Sequence, residues 1–172
     1  YFKGFFMSKN NTIADVIVDT LKSVGVKRYY CVPGDSMNEI TNRLEAADIS
    51  FIHTRNEGAA IFAAGAEAQL TGKITVCAGS AGPGSLHLVN GVHEASRMNA
   101  PVLVLATHIP STEIGGKYFQ EADLKSIFKD GTCFCETVLN QEQMPWLLNI
   151  AIQTAIAKKG VSVLVLSGDM TQ

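Results

Sequence analysis

A single carboxylate heads a run of small residues. In TRNEGAAIFAAGAEAQL, residues 54–70, Glu57 follows Arg55 and Asn56 and precedes Ala59, Ala60, Ala63 and Ala64. An acid at a helix start meets the positive end of the helix dipole, a structural role open to any carboxylate. The small neighbours suggest a second role. They permit close packing that draws Glu57 inward, where a carboxyl can hold a proton near neutral pH and share it with a heterocyclic nitrogen. A second candidate is GSAGPGS, residues 79–85. Gly79, Gly82 and Gly84 let the main chain approach a ligand, and a helix behind them would offer free N–H groups, as a phosphate site needs. The pattern is neither G-x-G-x-x-G nor a Walker loop with its Lys, and such a turn taken alone is more often structural. His87 and His93 follow on the same predicted helix. A lone helical His is usually packed or surface-exposed, and neither reads as catalytic.

Cys31, Cys77, Cys133 and Cys135 lack metal-ligand spacing. The last two are C-x-C with no His pair nearby, so the four read as reduced core residues in a reducing, cytoplasmic setting. No metal site is read from the sequence. The net charge of −2 gives no basic footprint for nucleic acid and no polybasic membrane patch. No apolar run is long enough to span a bilayer.

The elements that must position these residues alternate between two periods. TIADVIVDTLKSVGV reads as a helix with Thr12 as cap and Gly25 as stop. KRYYCV is a strand, and Ser36 is placed to cap a helix reaching about Ala47. ISFIHT is a strand, followed by a helix from about Glu57 to Leu70 closed by Gly72. ITVCAGS, PVLVLAT and VSVLVLSG are strands apolar on both faces. One helix is expected after the glycine turn, a short one near Asp123–Phe128, a strand at TCFCETV and a helix at QEQMPWLLNIAIQTAIAKK. This alternation predicts an α/β fold: three αβα layers around a mostly parallel sheet of about six strands with right-handed crossovers. Ligands of such sheets bind beyond the carboxyl ends of the strands. The loops VPGDS, TRNEG, GSAGPGS and THIPSTEIGGKYFQE lie there. The chain is long enough for one domain, over residues 7–172. Residues 1–6, YFKGFF, resemble the scar of a cleavable tag.

In order, GVKRYYCVPGDSMNEI, TRNEGAAIFAAGAEAQLTGKITVCAGSAGPGSLHLVNGVHEA, PVLVLATHIPSTEIGGKYFQE and KGVSVLVLSGD cover nearly the whole chain. They resemble the N-terminal, pyrimidine-binding domain of thiamine diphosphate-dependent 2-oxoacid enzymes, most of all the pyruvate oxidase branch with its bacterial quinone-linked pyruvate dehydrogenases. The resemblance implies that Glu57 hydrogen-bonds N1′ of the cofactor's aminopyrimidine and promotes its imino tautomer. It implies that Pro33, Gly34, Gly82, Pro83, Gly84 and Asn90 line the cofactor site, and that Phe119 and Gln120, followed by Glu121, lie on the substrate side. It further implies oxidative decarboxylation of pyruvate to acetate or acetyl phosphate and CO2, with FAD passing electrons to a quinone or oxygen. A homo-oligomer, dimer or tetramer, is expected, cytoplasmic or peripheral at the inner face of the cell membrane. Asn56 stands where that branch commonly has His. The flavin-binding middle domain and the diphosphate-binding domain with its Mg²⁺ motif have no counterpart in these residues, so the isolated domain is expected to be inactive. An acetolactate synthase-like carboligase, a 2-oxoacid decarboxylase and a non-catalytic binding module are the alternatives.

Overall fold

The structure, a computed structural model, describes residues 12–171. The segment 1–6, read as a tag remnant, lies outside the described residues. Helix α1 (Ile13–Ser23) opens on Thr12. Its hydroxyl accepts from Asp15 N at 3.2 Å while the Asp15 carboxylate accepts from Thr12 N at 2.9 Å, a reciprocal capping box. There follow β1 (Arg28–Cys31), α2 (Asn38–Leu44), β2 (Ser50–His53), α3 (Glu57–Thr71) and β3 (Thr75–Gly79). Next come α4 (Pro83–Leu86), α5 (Val89–Arg97), β4 (Val102–His108), α6 (Leu124–Phe128), β5 (Phe134–Val138), α7 (Met144–Lys158) and β6 (Val161–Ser167).

The six strands form one sheet in the order β2-β1-β3-β4-β6-β5, with every pairing parallel. Strands β3, β4 and β6 are buried along their whole length, as their continuous apolar runs require. The edge strands β2 and β5 are only partly covered. The period-2 alternation of β4 divides the core. Leu103 and Leu105 pack with Ile17 and Leu21 of α1 and Leu148 and Ile152 of α7. Val102 and Val104 pack with Ala60, Ile61 and Ala64 of α3 and Val92 of α5. This is the expected three-layer arrangement. The strand order reverses between β1 and β3, where the loops that follow them part and a ligand crevice forms.

Helix α3 explains its own composition. A Cβ at Gly65 would lie 3.4 Å from Ala95 Cβ, and one at Gly91 would lie 2.1 Å from Ile61 Cγ2. Small residues therefore let α3 and α5 approach closely. Gly72 closes α3 in the left-handed conformation, φ +66°. Two local expectations are corrected. Ser36 does not cap α2; it sits within a 3-10 turn, Asp35–Met37, and its hydroxyl is engaged across the sheet with Thr107. The single helix expected after the glycine turn is two, because a tighter bond from Leu88 N to Ser85 O, 3.1 Å, turns the axis. Among the described residues, no helix is long and apolar enough to cross a membrane.

Candidate active site

Glu57 is the first residue of α3. Asn56 fixes this helix start, its side-chain oxygen accepting from Gly58 N at 2.8 Å. A Cβ at Gly58 would meet His87 O at 3.3 Å, so the small residue lets α3 begin tightly against the end of α4. Glu57 is left 7% exposed, which is deep for an acid. Its two oxygens have different surroundings. Oε2 lies 2.9 Å from His87 Nδ1. A carboxylate in its ionised form can only accept, and in that form Nδ1 carries the proton of this bond. Oε1 faces Gly84, where a Cβ would stand 2.8 Å from it and 2.2 Å from Ser80 Oγ. Only glycine at position 84 leaves both atoms in place. On the sheet side, burial pushes the Cys31 thiol up to about 12, with the charge of Glu57 adding to it.

A buried hydroxyl network holds the glycine loop that forms this cradle. Ser85 Oγ lies 3.0 Å from Gly79 O, 3.0 Å from Ser80 O and 3.1 Å from Thr107 O. Thr107 Oγ1 donates to Gly79 O at 2.8 Å and is 2.5 Å from Ser36 Oγ. With the Thr107 proton on Gly79 O, the proton between the two hydroxyls comes from Ser36. Ser36 Oγ in turn accepts from Ala81 N at 3.2 Å. Donors thus run in one direction, from Ala81 through Ser36 and Thr107 to Gly79, tying the loops after β1 and β3 to β4.

Beyond these strand ends lies a cleft of about 500 Å³, lined by Gly34, Ser36, Ser80, His108, Phe119 and Gln120 among others. Phe119 is 80% exposed and tilts against Tyr118, ring centroids 5.0 Å apart. Main-chain Gln120 presses on Gly82, where a Cβ would lie 2.1 Å from Gln120 O. Of the residues singled out from sequence, the structure therefore brings Gly34, Phe119 and Gln120 to one cleft, with Gly82 beneath Gln120 and Gly84 against Glu57. Pro33 lies elsewhere, in a surface hollow with Thr41, Asn42 and Phe51. Pro83 and Asn90 are exposed outside the cleft lining, and Glu121 accepts from Gly115 N at 2.7 Å. Two site residues escaped the sequence reading. His87, read as merely packed or surface, is the direct partner of Glu57. Ser80 joins the cleft to the cradle, since a Cβ at Gly34 would lie 2.6 Å from its Cβ. The signal for Ser80 was its place as a small residue between Gly79 and Gly82. His87 gave none, because its partner is thirty positions away.

Residues 11–127, more than half of the chain, match the family described as thiamine pyrophosphate enzyme, N-terminal TPP binding domain. The chain belongs to that family. It is 51% identical over 94% of its length to an uncharacterized 42.6 kDa protein in isoamylase 3'region of Pseudomonas amyloderamosa, 41% of which is covered. It is 45% identical, again over 94% of its length, to the putative thiamine pyrophosphate-containing protein YdaP of Bacillus subtilis, covering 28% of that protein. Over 90% of its length it is 37% identical to a pyruvate oxidase of Lactiplantibacillus plantarum, covering 26% of it. The chain thus spans less than half the length of each of these relatives.

The site fits the pyrimidine end of thiamine diphosphate. A carboxylate in a glycine cradle, one oxygen already on an imidazole N–H, is the acceptor that a protonated heterocyclic nitrogen requires. For the metal that accompanies a diphosphate, no group of three or more His, Cys, Asp or Glu side chains comes together among the described residues.

Proposed function

We propose that this chain is the pyrimidine-binding domain of a thiamine diphosphate- and FAD-dependent enzyme that oxidatively decarboxylates pyruvate, yielding acetate or acetyl phosphate and CO2. The observation that carries the thiamine reading is Glu57, buried in its Gly84 cradle with an imidazole nitrogen 2.9 Å away. The choice of pyruvate is supported by the similarity to a pyruvate oxidase and by the loop that sets Phe119 and Gln120 at the cleft.

When bound, thiamine diphosphate supplies the nucleophilic carbon and electron sink that decarboxylation needs. The part of this chain is to bind and orient. Glu57 holds a proton at N1′ of the aminopyrimidine and keeps the ring in one orientation. His87 presents an N–H at the same carboxylate and leaves half of its own side chain open to solvent, 54% exposed, within reach of a second group. The hydroxyl network from Ser36 to Gly79 fixes the loop on which the ring would rest. Phe119 and Gln120 shape the substrate side. Mg²⁺, FAD, an electron acceptor that is a quinone or oxygen, and assembly as a cytoplasmic or membrane-peripheral homo-oligomer belong to the whole enzyme, and the isolated domain does not turn over pyruvate.

The test is pyruvate-dependent dye reduction by the chain expressed through to its natural stop codon, supplied with thiamine diphosphate, Mg²⁺ and FAD. Reduction that disappears in Glu57→Gln supports the reading. Pyruvate consumed without dye reduction, with acetolactate or acetaldehyde appearing, replaces it with a carboligase or decarboxylase. No consumption of pyruvate leaves a binding module.

A further inference from the structure

The loop from Ile109 to Ala122 carries Phe119 and Gln120, yet residues 110–119 are all exposed. Two left-handed positions, Gly115 at φ +88° and Lys117 at φ +60°, curl it back on itself. Two ties close it. The outer one joins Ser111 to Asp169, with the carboxylate accepting from Ser111 N at 2.8 Å and from Ser111 Oγ at 2.6 Å, both residues lying at the surface. The inner one is His108, the last residue of β4, which is 7% exposed. Its Nδ1 accepts from Ile109 N at 2.8 Å, and its Nε2 lies 2.7 Å from Ala122 O. A carbonyl can only accept, so Nε2 bears the hydrogen, and Nδ1 is an acceptor facing an N–H. One neutral ring therefore joins the two ends of the loop.

The ring is also a partition. On one side is the cleft with Phe119 and Gln120; on the other is a hollow of about 330 Å³ lined by Ser111, Ile114, Leu124, Thr137 and Leu139. The inner bond is partly buried and the outer tie is exposed, so water competes less for the partners of the inner one. The loop is also pressed from below, since Gln120 rests on Gly82 with no room for a methyl group. The other bonds beside Gln120, from Gly115 N to Glu121 and from Glu121 N to Tyr118 O, lie within the loop and do not join it to β4.

We propose that His108 is a positioning residue: its Nε2–H bond to Ala122 clips the loop shut and seats Phe119 and Gln120 at the mouth of the cleft. Its importance for catalysis rests on the reading of the site given above. Its geometry can be tested without cofactor or pyruvate, so either idea can fail alone. Glutamine places an amide donor near the position of Nε2, whereas asparagine places its polar group near Nδ1 and cannot reach Ala122. Lys117 is the only Lys or Arg between Ile109 and Ala122, so trypsin cleavage after it reads how often the loop opens.

The experiment compares the chain with His108→Gln and His108→Asn. Native His108 is expected to show the Nε2-protonated tautomer in long-range ¹H–¹⁵N spectra. His108→Gln should be cut after Lys117 at the native rate within about twofold. His108→Asn should be cut about tenfold faster, roughly the weight of one hydrogen bond, with its Gly82 and Gln120 amide resonances displaced. A Nδ1-protonated tautomer in the native chain, or equal cleavage of the two variants, would overturn the proposal. If neither variant folds, the native tautomer alone decides.

Discussion

Replacing Gly82 with alanine tests the seating of the cleft loop most directly. Gly82 precedes α4 at φ +61°, ψ −110°, a region closed to residues with a side chain. Forcing alanine into such a conformation costs on the order of 1–3 kcal/mol. The new methyl would stand 2.1 Å from Gln120 O and 2.9 Å from its carbonyl carbon. Those are main-chain atoms that no rotamer change can move. Overpacking of this kind costs about 1–3 kcal/mol, and the lower end applies where the opposing segment is an exposed loop able to lift. The two parts together give a loss of about 2–4 kcal/mol, a large share of the roughly 5–15 kcal/mol that holds a domain together. Gly72→Ala is the control. Gly72 is also left-handed, at φ +66°, but nothing lies within 4 Å of a Cβ there. It should lose only the conformational part, about 1 kcal/mol. Urea unfolding followed by circular dichroism measures both. Equal losses in the two variants would refute the claim that Gln120 is pressed against Gly82.

Two further outcomes are expected. The hydroxyl of Tyr29, on a fully buried residue, has no hydrogen-bond partner among the described residues, and burial drives its ionisation far upward. Tyr29→Phe removes an uncompensated polar group and should raise stability or leave it unchanged, by up to about 1–2 kcal/mol; a thermal melt showing a clear loss would reveal a partner for the hydroxyl. Asp15 is held below the usual carboxylate range: partial burial acts upward and is outweighed by the bonds from Thr12 and from Arg43. A depressed folded pKa means that this stabilisation is present above the unfolded value and fades as the pH falls through the folded one. Thr12→Ala should cost about 1 kcal/mol at pH 7, with the deficit shrinking below about pH 4, where the native cap itself weakens. Urea midpoints at pH 7 and pH 3 check this, and a deficit unchanged by pH would contradict the assignment.

Much of this fold could be read directly from the chain. The runs VLVLATH and VSVLVLS are apolar without alternation, and only a strand covered on both faces needs that. Thr12 announced the start of α1, and Gly72 the end of α3. Glu57 stood out as an acid among alanines, although the dipole at a helix start offers a structural place to any carboxylate. The rest was hidden for physical reasons. Ser36 had the type and place of a helix cap, and local sequence could not show that Thr107, seventy-one residues later, would compete for its hydroxyl. His87 follows α4 at the turn closed by Ser85 and the buried Leu88, so its direction toward Glu57 exists only after α3 and α4 have packed. Pro33 and Asn90 fell in motifs that matched as a whole, and both stand outside the lining of the cleft, Pro33 in a hollow of its own.

The one-way run of donors through Ser36 and Thr107 has a consequence for how this region can change over generations. Valine at position 107 would deprive the Ser36 proton of this acceptor and Gly79 O of a donor. Alanine at position 36 would deprive Ala81 N–H of its acceptor. Each single step weakens the network, and altering both together recovers little, because Ala81 N–H and Gly79 O belong to the main chain and stay where they are. The two side chains therefore answer to backbone groups that neither substitution can remove, so drift at either position is limited by the loop itself, and the geometry beneath the cleft is inherited with the path of the main chain.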